Sequence, residues 1–248
     1  MIVKEVYAKT ILSKSKVLDY AINPYIGCEH GCTYCYARFM KKFTSHNEED
    51  WGGFVDVKIN ATGLLQREVK KKRVGKVWIS GVCDPYQPLE RKYELTKRCL
   101  EILLKRGWPV TIQTKSPLVL RDSELLREFD EIEVGLTITT ADENIRKIFE
   151  PKAPPIKQRI ETLEKLHSAG IRVFAMIAPI LPKAEVLVEQ LSEKVDYVLI
   201  DKMNYHYADR IYKSNELEYA MHHTFFTQKK AELSEAFKKE GIPCQLLF

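Results

Sequence analysis

Three cysteines, Cys28, Cys32 and Cys35, stand in the stretch GCEHGCTYCYAR at residues 27–38 with the spacing C-x3-C-x2-C. Thiolates crowded this closely suit metal or redox chemistry, and Gly27 and Gly31 beside them let the backbone fold tightly round a bound ion or cluster. A dithiol redox pair would use Cys32 and Cys35 and leave Cys28 without a task. A structural zinc site wants a fourth ligand, and His30, the nearest, lies between two ligands in an unusual zinc spacing. A zinc deaminase places H-x-E ahead of P-C-x-x-C, whereas His46-Asn47-Glu48 follows the cysteines and Gly31 occupies the proline position. A ferredoxin-type [4Fe–4S] centre takes four thiolates, and Cys83, Cys99 and Cys244 are remote in sequence. Three thiolates on a four-iron cluster would leave one iron open to a substrate or cofactor, the counterpart of a catalytic zinc with a free position.

The composition frames where such a loop can work. The 248 residues are 45% hydrophobic and 29% charged, globular values for a length that suits one α/β barrel. No apolar run reaches the ~18 residues of a membrane helix, and the first twenty residues lack the apolar core of a secretory signal. We therefore expect a cytoplasmic protein with no membrane partner. Six cysteines, half of them in one loop, are too few for a disulfide scaffold. A net charge of +5 favours an anionic partner, although the run Lys70 to Arg73 equally fits a solvated helix end where cations complement the dipole.

The loop must be held by its neighbours, and these read as repeated βα units. Apolar β-branched runs at 76–82, 109–115, 133–140, 171–180 and 196–203 predict buried parallel strands. Helical spacing of apolar residues at 93–106, 121–129, 154–169 and 183–194 fills the intervals. Residues 21–26 supply a first strand running directly into the cysteine loop, and 62–73 the helix that returns from it. Active sites of such folds lie at the carboxyl ends of the strands, where CDPYQP, KSP, TTAD, APILP and KMNYHY all fall. A long helix at 215–239 and a strand at 244–248 cap or extend this core. The expected organisation is one domain over 1–248, with a barrel core of about 20–203 and a cap of about 204–248. The polar loop SHNEEDWGG, residues 45–53, is expected to be mobile and to close the site as a lid.

C-x3-C-x2-C with the aromatic Tyr34 before its third cysteine, at the end of a first βα strand, resembles the radical S-adenosylmethionine (SAM) superfamily. NPYIGCEHGCTYCYAR (23–38), DPYQPLE (84–90), TKSP (114–117) and FEPKAPPIKQR (149–159) narrow the resemblance to the branch of spore photoproduct lyase and DNA repair photolyase-like proteins, over residues 20–182. It implies a partial (β/α)6 TIM-type barrel with a C-terminal helical extension, a [4Fe–4S] cluster and bound SAM. The implied activity is reductive cleavage of SAM to a 5′-deoxyadenosyl radical acting on an unidentified substrate, with nucleic acid among the candidates. It also implies a low-potential electron donor such as ferredoxin or flavodoxin as a partner. The rival reading is a non-catalytic electron carrier or zinc protein that uses the three-cysteine loop structurally.

By the same resemblance Cys28, Cys32 and Cys35 are the cluster ligands, and Tyr34, Asp84, Lys115, Thr137 and Arg159 belong to the SAM pocket. Lys115 matches a lysine that meets the SAM carboxylate, and Thr137 a hydroxyl residue that hydrogen-bonds SAM. The plain alternatives are a strand-end lysine at the surface and ordinary β-propensity. Arg159 orients Glu150 or the pocket, or else forms a surface ion pair with it. The lyase has a hydrogen-donating cysteine where this chain has Gly81. Cys83, two residues on and on the same strand face, remains a displaced hydrogen donor, a SAM contact or a small buried hydrophobe. Tyr205 and Tyr207 follow the sixth strand and could relay a radical, stack a base or form a satisfied aromatic cluster. Cys99 and Cys244 read as structural.

Overall fold

The computed structural model describes residues 1–248. Its strands are β1 (Ile2–Val6), β2 (Leu12–Lys14), β3 (Tyr20–Ile22), β4 (Tyr25–Ile26), β5 (Phe54–Lys58), β6 (Val77–Ile79), β7 (Val110–Thr114), β8 (Ile132–Thr137), β9 (Arg172–Ile177), β10 (Tyr197–Ile200) and β11 (Cys244–Leu246). Eight of them form one open sheet in the order β11-β10-β9-β8-β7-β6-β3-β2. All are parallel except β2, which pairs antiparallel with β3. The five central strands fall where the apolar runs predicted them, and the sheet is the expected partial barrel.

Period-two alternation gives each strand two faces. On β7, Val110, Ile112 and Thr114 are buried in the layer under the helices. Thr111, Gln113 and the following Lys115 line a cavity on the inner side. Residues 133 and 137, 174 and 176, and 197 and 199 line the same cavity from β8, β9 and β10, so one rule supplies both the core and the site. The helices are α1 (Ala61–Glu68), α2 (Glu90–Tyr93), α3 (Leu95–Leu104), α4 (Ser123–Arg127), α5 (Glu143–Phe149), α6 (Ile156–Ser168), α7 (Leu187–Leu191), α8 (Asp209–Ser214) and α9 (His223–Lys239). On α6, Leu163 and Leu166 are fully buried three residues apart, as one helix face against a sheet requires. No helix is long and apolar enough to cross a membrane.

Two points of the strand order need correction. The first strand does not run on to residue 26. It breaks at Asn23-Pro24, where Pro24 has no N–H to give the ladder and the Asn23 side chain accepts from Ser80 Oγ and the amides of Gly81 and Val82. The chain then enters a second, three-stranded sheet, β1-β5-β4, which the sequence reading missed. The C-terminal strand extends the core, one of the two roles expected of it, because β11 pairs in parallel with β10 and prolongs the main sheet.

The segment 45–53 is anchored and lies away from the larger cavity. Trp51 and His46 are buried, His46 Nε2 is 2.9 Å from Asp56 Oδ1, and the His46 ring stacks 4.3 Å from Phe54. A Cβ on Gly52 would come within 2.6 Å of Gly31 Cα, so this segment buttresses the cysteine loop and is no lid.

Candidate active site

The cysteine loop leaves β4 through Gly27, whose φ of +89° favours glycine. A Cβ there would fall far inside contact distance of the Phe54 carbonyl oxygen on β5. Gly27→Ala is therefore expected to cost about 1–2 kcal/mol from φ alone, and to lower both the thermal midpoint and the iron retained after anaerobic reconstitution. Unchanged values for both would contradict this account of the turn.

Cys28 and Cys32 are buried, Cys35 is half-buried, and all three are free thiols. They line one cavity of about 110 Å³ together with Cys83. Burial, and then the charges of Asp84, Cys32 and Cys35, push the Cys28 thiol well above its ordinary value. Burial pushes Cys32 up to about 12, with Lys115 pulling the other way. Buried thiols that repel one another as thiolates form a donor set that a cationic centre would satisfy. No three His, Cys, Asp or Glu side chains converge as the ligands of a single ion would.

A second cavity of about 570 Å³ opens beside the first. Cys32, Cys35, Trp78, Gln113, Lys115 and Thr137 line both. Lys115 is no surface lysine. Its Nζ lies 3.9 Å from Glu150 Oε1 and 5.7 Å from the centre of the Tyr34 ring. Burial lowers its pKa, and Cys32 and Glu150 more than offset this, so it is held above its ordinary value. Thr137 accepts from Gln113 Nε2 at 3.2 Å and is therefore fixed in place as well as suited to the strand.

Beneath Lys115 sits a fully buried ion pair. Arg159 Nη1 is 2.6 Å from Glu150 Oε2, and both side chains are 0% exposed, which excludes the surface-pair reading. Arg159 also donates to the carbonyls of Pro154 at 2.8 Å and Thr137 at 3.0 Å, while Tyr34 Oη and Thr139 Oγ1 donate to Glu150. Burial would raise the Glu150 carboxyl, but Arg159, Lys115 and Tyr34 hold it below its usual value. Tyr34 lines the larger cavity, whereas Arg159 lines neither cavity and reaches the site through Glu150.

Asp84 ties the loop to the sheet. Its carboxylate lies 3.1 Å from His30 Nε2 and accepts from Thr114 Oγ1 at 2.6 Å and from the amides of Lys115 and Tyr86. Burial raises its pKa, and His30 with these donors overrules that, to about 2. His30 is thereby turned to Asp84 from between two of the cysteines.

Cys83 lies 3.0 Å from Ser80 Oγ and packs beside Tyr25 and Leu95. It lines the thiol cavity but not the larger one, and burial pushes it up to about 12. Tyr205 lines the larger cavity and stacks on Tyr36 at 6.1 Å, whereas Tyr207 stands outside it, stacked on Tyr205 at 5.8 Å with the Arg38 guanidinium over its ring. Cys99 is fully buried, as a core residue should be. Sequence reading missed Gln113 and Trp78. The alternation Thr111-x-Gln113-x-Lys115 could have found the first, since Lys115 was already placed on that face.

Comparison with known proteins gives a consistent result. The description "Radical SAM superfamily" matches residues 22–187. An uncharacterised protein of Methanocaldococcus jannaschii is 35% identical over 250 residues, covering 96% of this chain and 94% of that one. An uncharacterised protein of Acidianus two-tailed virus is 34% identical over 188 residues, 73% of this chain and 62% of that one. Spore photoproduct lyase complexed with dinucleoside spore photoproduct superposes with a TM-score of 0.72 at 14% identity, over 99% of this chain and 82% of that one. Streptococcus suis SuiB bound to S-adenosylmethionine superposes at 0.58 and 14%, over 92% and 50%.

Proposed function

Because this chain belongs to the radical SAM superfamily, we propose that it reductively cleaves SAM to a 5′-deoxyadenosyl radical and directs that radical at a substrate in the larger cavity. Membership implies a [4Fe–4S] cluster and SAM, which when bound supply the electron and the radical precursor. The observation that carries the reading is the sharing of Cys32, Cys35, Lys115 and Thr137 between the thiol cavity and the larger one. Three thiols spread round a common space suit a multi-iron centre, because each binds a different iron and none need converge on one point.

Each residue then has a task derived from its surroundings. Cys28, Cys32 and Cys35 would hold the cluster. Lys115 offers a buried ammonium to a carboxylate, and Thr137 offers a hydroxyl already oriented by Gln113. Glu150 keeps Lys115 charged and in place, while Arg159 and Tyr34 keep Glu150 ionised. Asp84 fixes the Lys115 backbone and His30 together, so the cysteine loop and the SAM pocket share one anchor. Cys83 lines the thiol cavity and not the larger one, so it would adjoin the cysteines that hold the cluster.

Lys115→Met is expected to weaken SAM binding to the reconstituted protein by about tenfold to a hundredfold, the worth of one charge-assisted hydrogen bond. Lys115→Arg should recover part of the loss. Equal affinity in wild type and Lys115→Met by equilibrium dialysis would remove Lys115 from the pocket.

The cavity mouth favours nucleic acid as the macromolecule presented to it. Tyr36, Tyr205 and Tyr207 form an exposed stacked strip with Arg38 above it, the combination of flat rings and cations that single strands use. A short single-stranded oligonucleotide should bind in a salt-dependent manner, and Tyr205→Ala should weaken it about fivefold or more. Binding that ignores both salt and the substitution would turn the reading towards a peptide or a small metabolite.

A further inference from the structure

The inner wall of the larger cavity carries aromatic rings laid over glycines. Trp78 on β6 reaches both cavities, and a Cβ on Gly81 would lie 3.3–3.7 Å from three atoms of its indole. Phe174 on β9 lies over Gly135 of β8, where a Cβ would strike the ring. A side chain at Gly135 would displace the Phe174 ring, and one at Gly81 would press on the indole by a few tenths of an ångström. Gly81 is itself held, its amide donating to Asn23 Oδ1 and its carbonyl accepting from Tyr36 Oη, so the platform under the indole cannot easily withdraw.

The rest of the wall is mostly apolar. Met176, Leu199 and Met203 join the two rings, and fifteen of the twenty-five lining residues are hydrophobic. Lys115 and Lys202 are its only lysines, it has no arginine, and Lys115 is the residue assigned above to the SAM carboxylate. Glu133, one of its two acids, is occupied by Lys76 at 3.0 Å and Arg172 at 3.1 Å. Asp201 accepts from the Lys202 amide and from Asn204 Nδ2, and Lys202 Nζ lies over the Phe248 ring, so each charged side chain of the wall already has a partner. The wall offers a half-buried indole beside the Gln113–Thr137 pair.

From this we propose that Trp78 is a specificity-determining residue and that the group entering the cavity is a flat, uncharged, π-rich ring stacked on its indole. The assignment rests on the proposed radical SAM reading and adds the chemical class of the group attacked. Flatness is what the wall selects: a planar ring can lie against the indole over its whole face, whereas a puckered ring of equal size touches it at a few atoms. Gly81 sets the depth at which the ring sits.

The test uses two uncharged probes of similar size, benzamide and cyclohexanecarboxamide, titrated against the reconstituted protein with SAM present and followed by ligand-observed NMR. The flat probe should bind about tenfold more tightly than the puckered one, as base-on-aromatic stacking would give. Trp78→Leu should erase the preference and Trp78→Phe should keep most of it. Gly81→Ala, whose methyl presses on the indole at 3.3–3.7 Å, should reduce it slightly. Circular dichroism melts confirm that each variant is folded before its affinities are read. Equal affinity for both probes in the wild type, or a preference that survives in folded Trp78→Leu, overturns the proposal. Formation of 5′-deoxyadenosine by the wild type is scored separately, so a loss of ring preference is distinguishable from a failure of the SAM reading.

Discussion

Cys32→Ser yields a protein that, after anaerobic reconstitution, lacks most of the broad visible absorption of thiolate-bound iron and forms no detectable 5′-deoxyadenosine. The expectation follows from the position of Cys32, which is buried, lines both cavities and neighbours Lys115 and Glu150. A serine alkoxide is a poor substitute for a soft thiolate on iron, and with two remaining cysteines the loop would hold the cluster by half of its corners. Cys28→Ser and Cys35→Ser should behave alike. Cys99→Ser is the control, since Cys99 sits in the hydrophobic core with other tasks: it should lower stability modestly and leave iron content unchanged. Full iron content in Cys32→Ser, measured by colorimetric iron assay, would remove Cys32 from the ligand set.

Arg159→Met has the largest expected effect on stability. Removing one partner leaves Glu150 ionised, fully buried and without its 2.6 Å counter-charge, a situation that costs about 3–5 kcal/mol. The double variant Glu150→Gln/Arg159→Met should cost less than Arg159→Met alone, because no buried charge is then left unpaired. The sign of the pH dependence follows from the lowered folded-state pKa of Glu150. In the wild type its contribution is fully present above the ordinary carboxylate value of about 4.3 and is lost as pH falls through the lower folded value. In Arg159→Met the same burial, no longer opposed by the guanidinium, favours the neutral acid, so protonation relieves the damage. The gap between wild type and variant in urea midpoint should therefore be widest near neutrality and narrow as the pH approaches the carboxylate range. A gap that widens on acidification would contradict the assignment of Glu150 as the buried charge.

Much of this could be read from residues alone. The βα order was legible because β6 to β10 bury one face fully and turn a largely apolar second face to the cavity, so they read as β-branched apolar runs. The C-x3-C-x2-C spacing identified the family, since few chemistries need three thiols in one turn of chain. The second sheet was not legible. β4 has two residues and β5 is flanked by loop-like composition, so neither carries a periodic signal long enough to detect. The segment 45–53 looked mobile because it is polar and glycine-bearing. What fixes it is tertiary: the His46–Asp56 contact and the Gly31–Gly52 approach join parts of the chain that local sequence cannot pair. Whether Arg159 orients Glu150 or pairs with it at the surface stayed open for the same reason, as the full burial of both is tertiary. Strand alternation put Cys83 on the face of Gly81 and left a hydrogen donor, a SAM contact and a small buried hydrophobe all open. The strand ends at Ile79, however, and beyond it Ser80 and Cys83 turn together, so period two no longer applies.

The central claim is that this loop holds an iron–sulfur cluster able to receive SAM and cleave it. Protein reconstituted with iron and sulfide under anaerobic conditions should, on addition of dithionite and SAM, release 5′-deoxyadenosine and methionine in equal amounts, detected by liquid chromatography with mass spectrometry. A cluster that forms fully and is reduced, yet produces neither compound, would contradict the account and return the loop to electron transfer or structural metal binding.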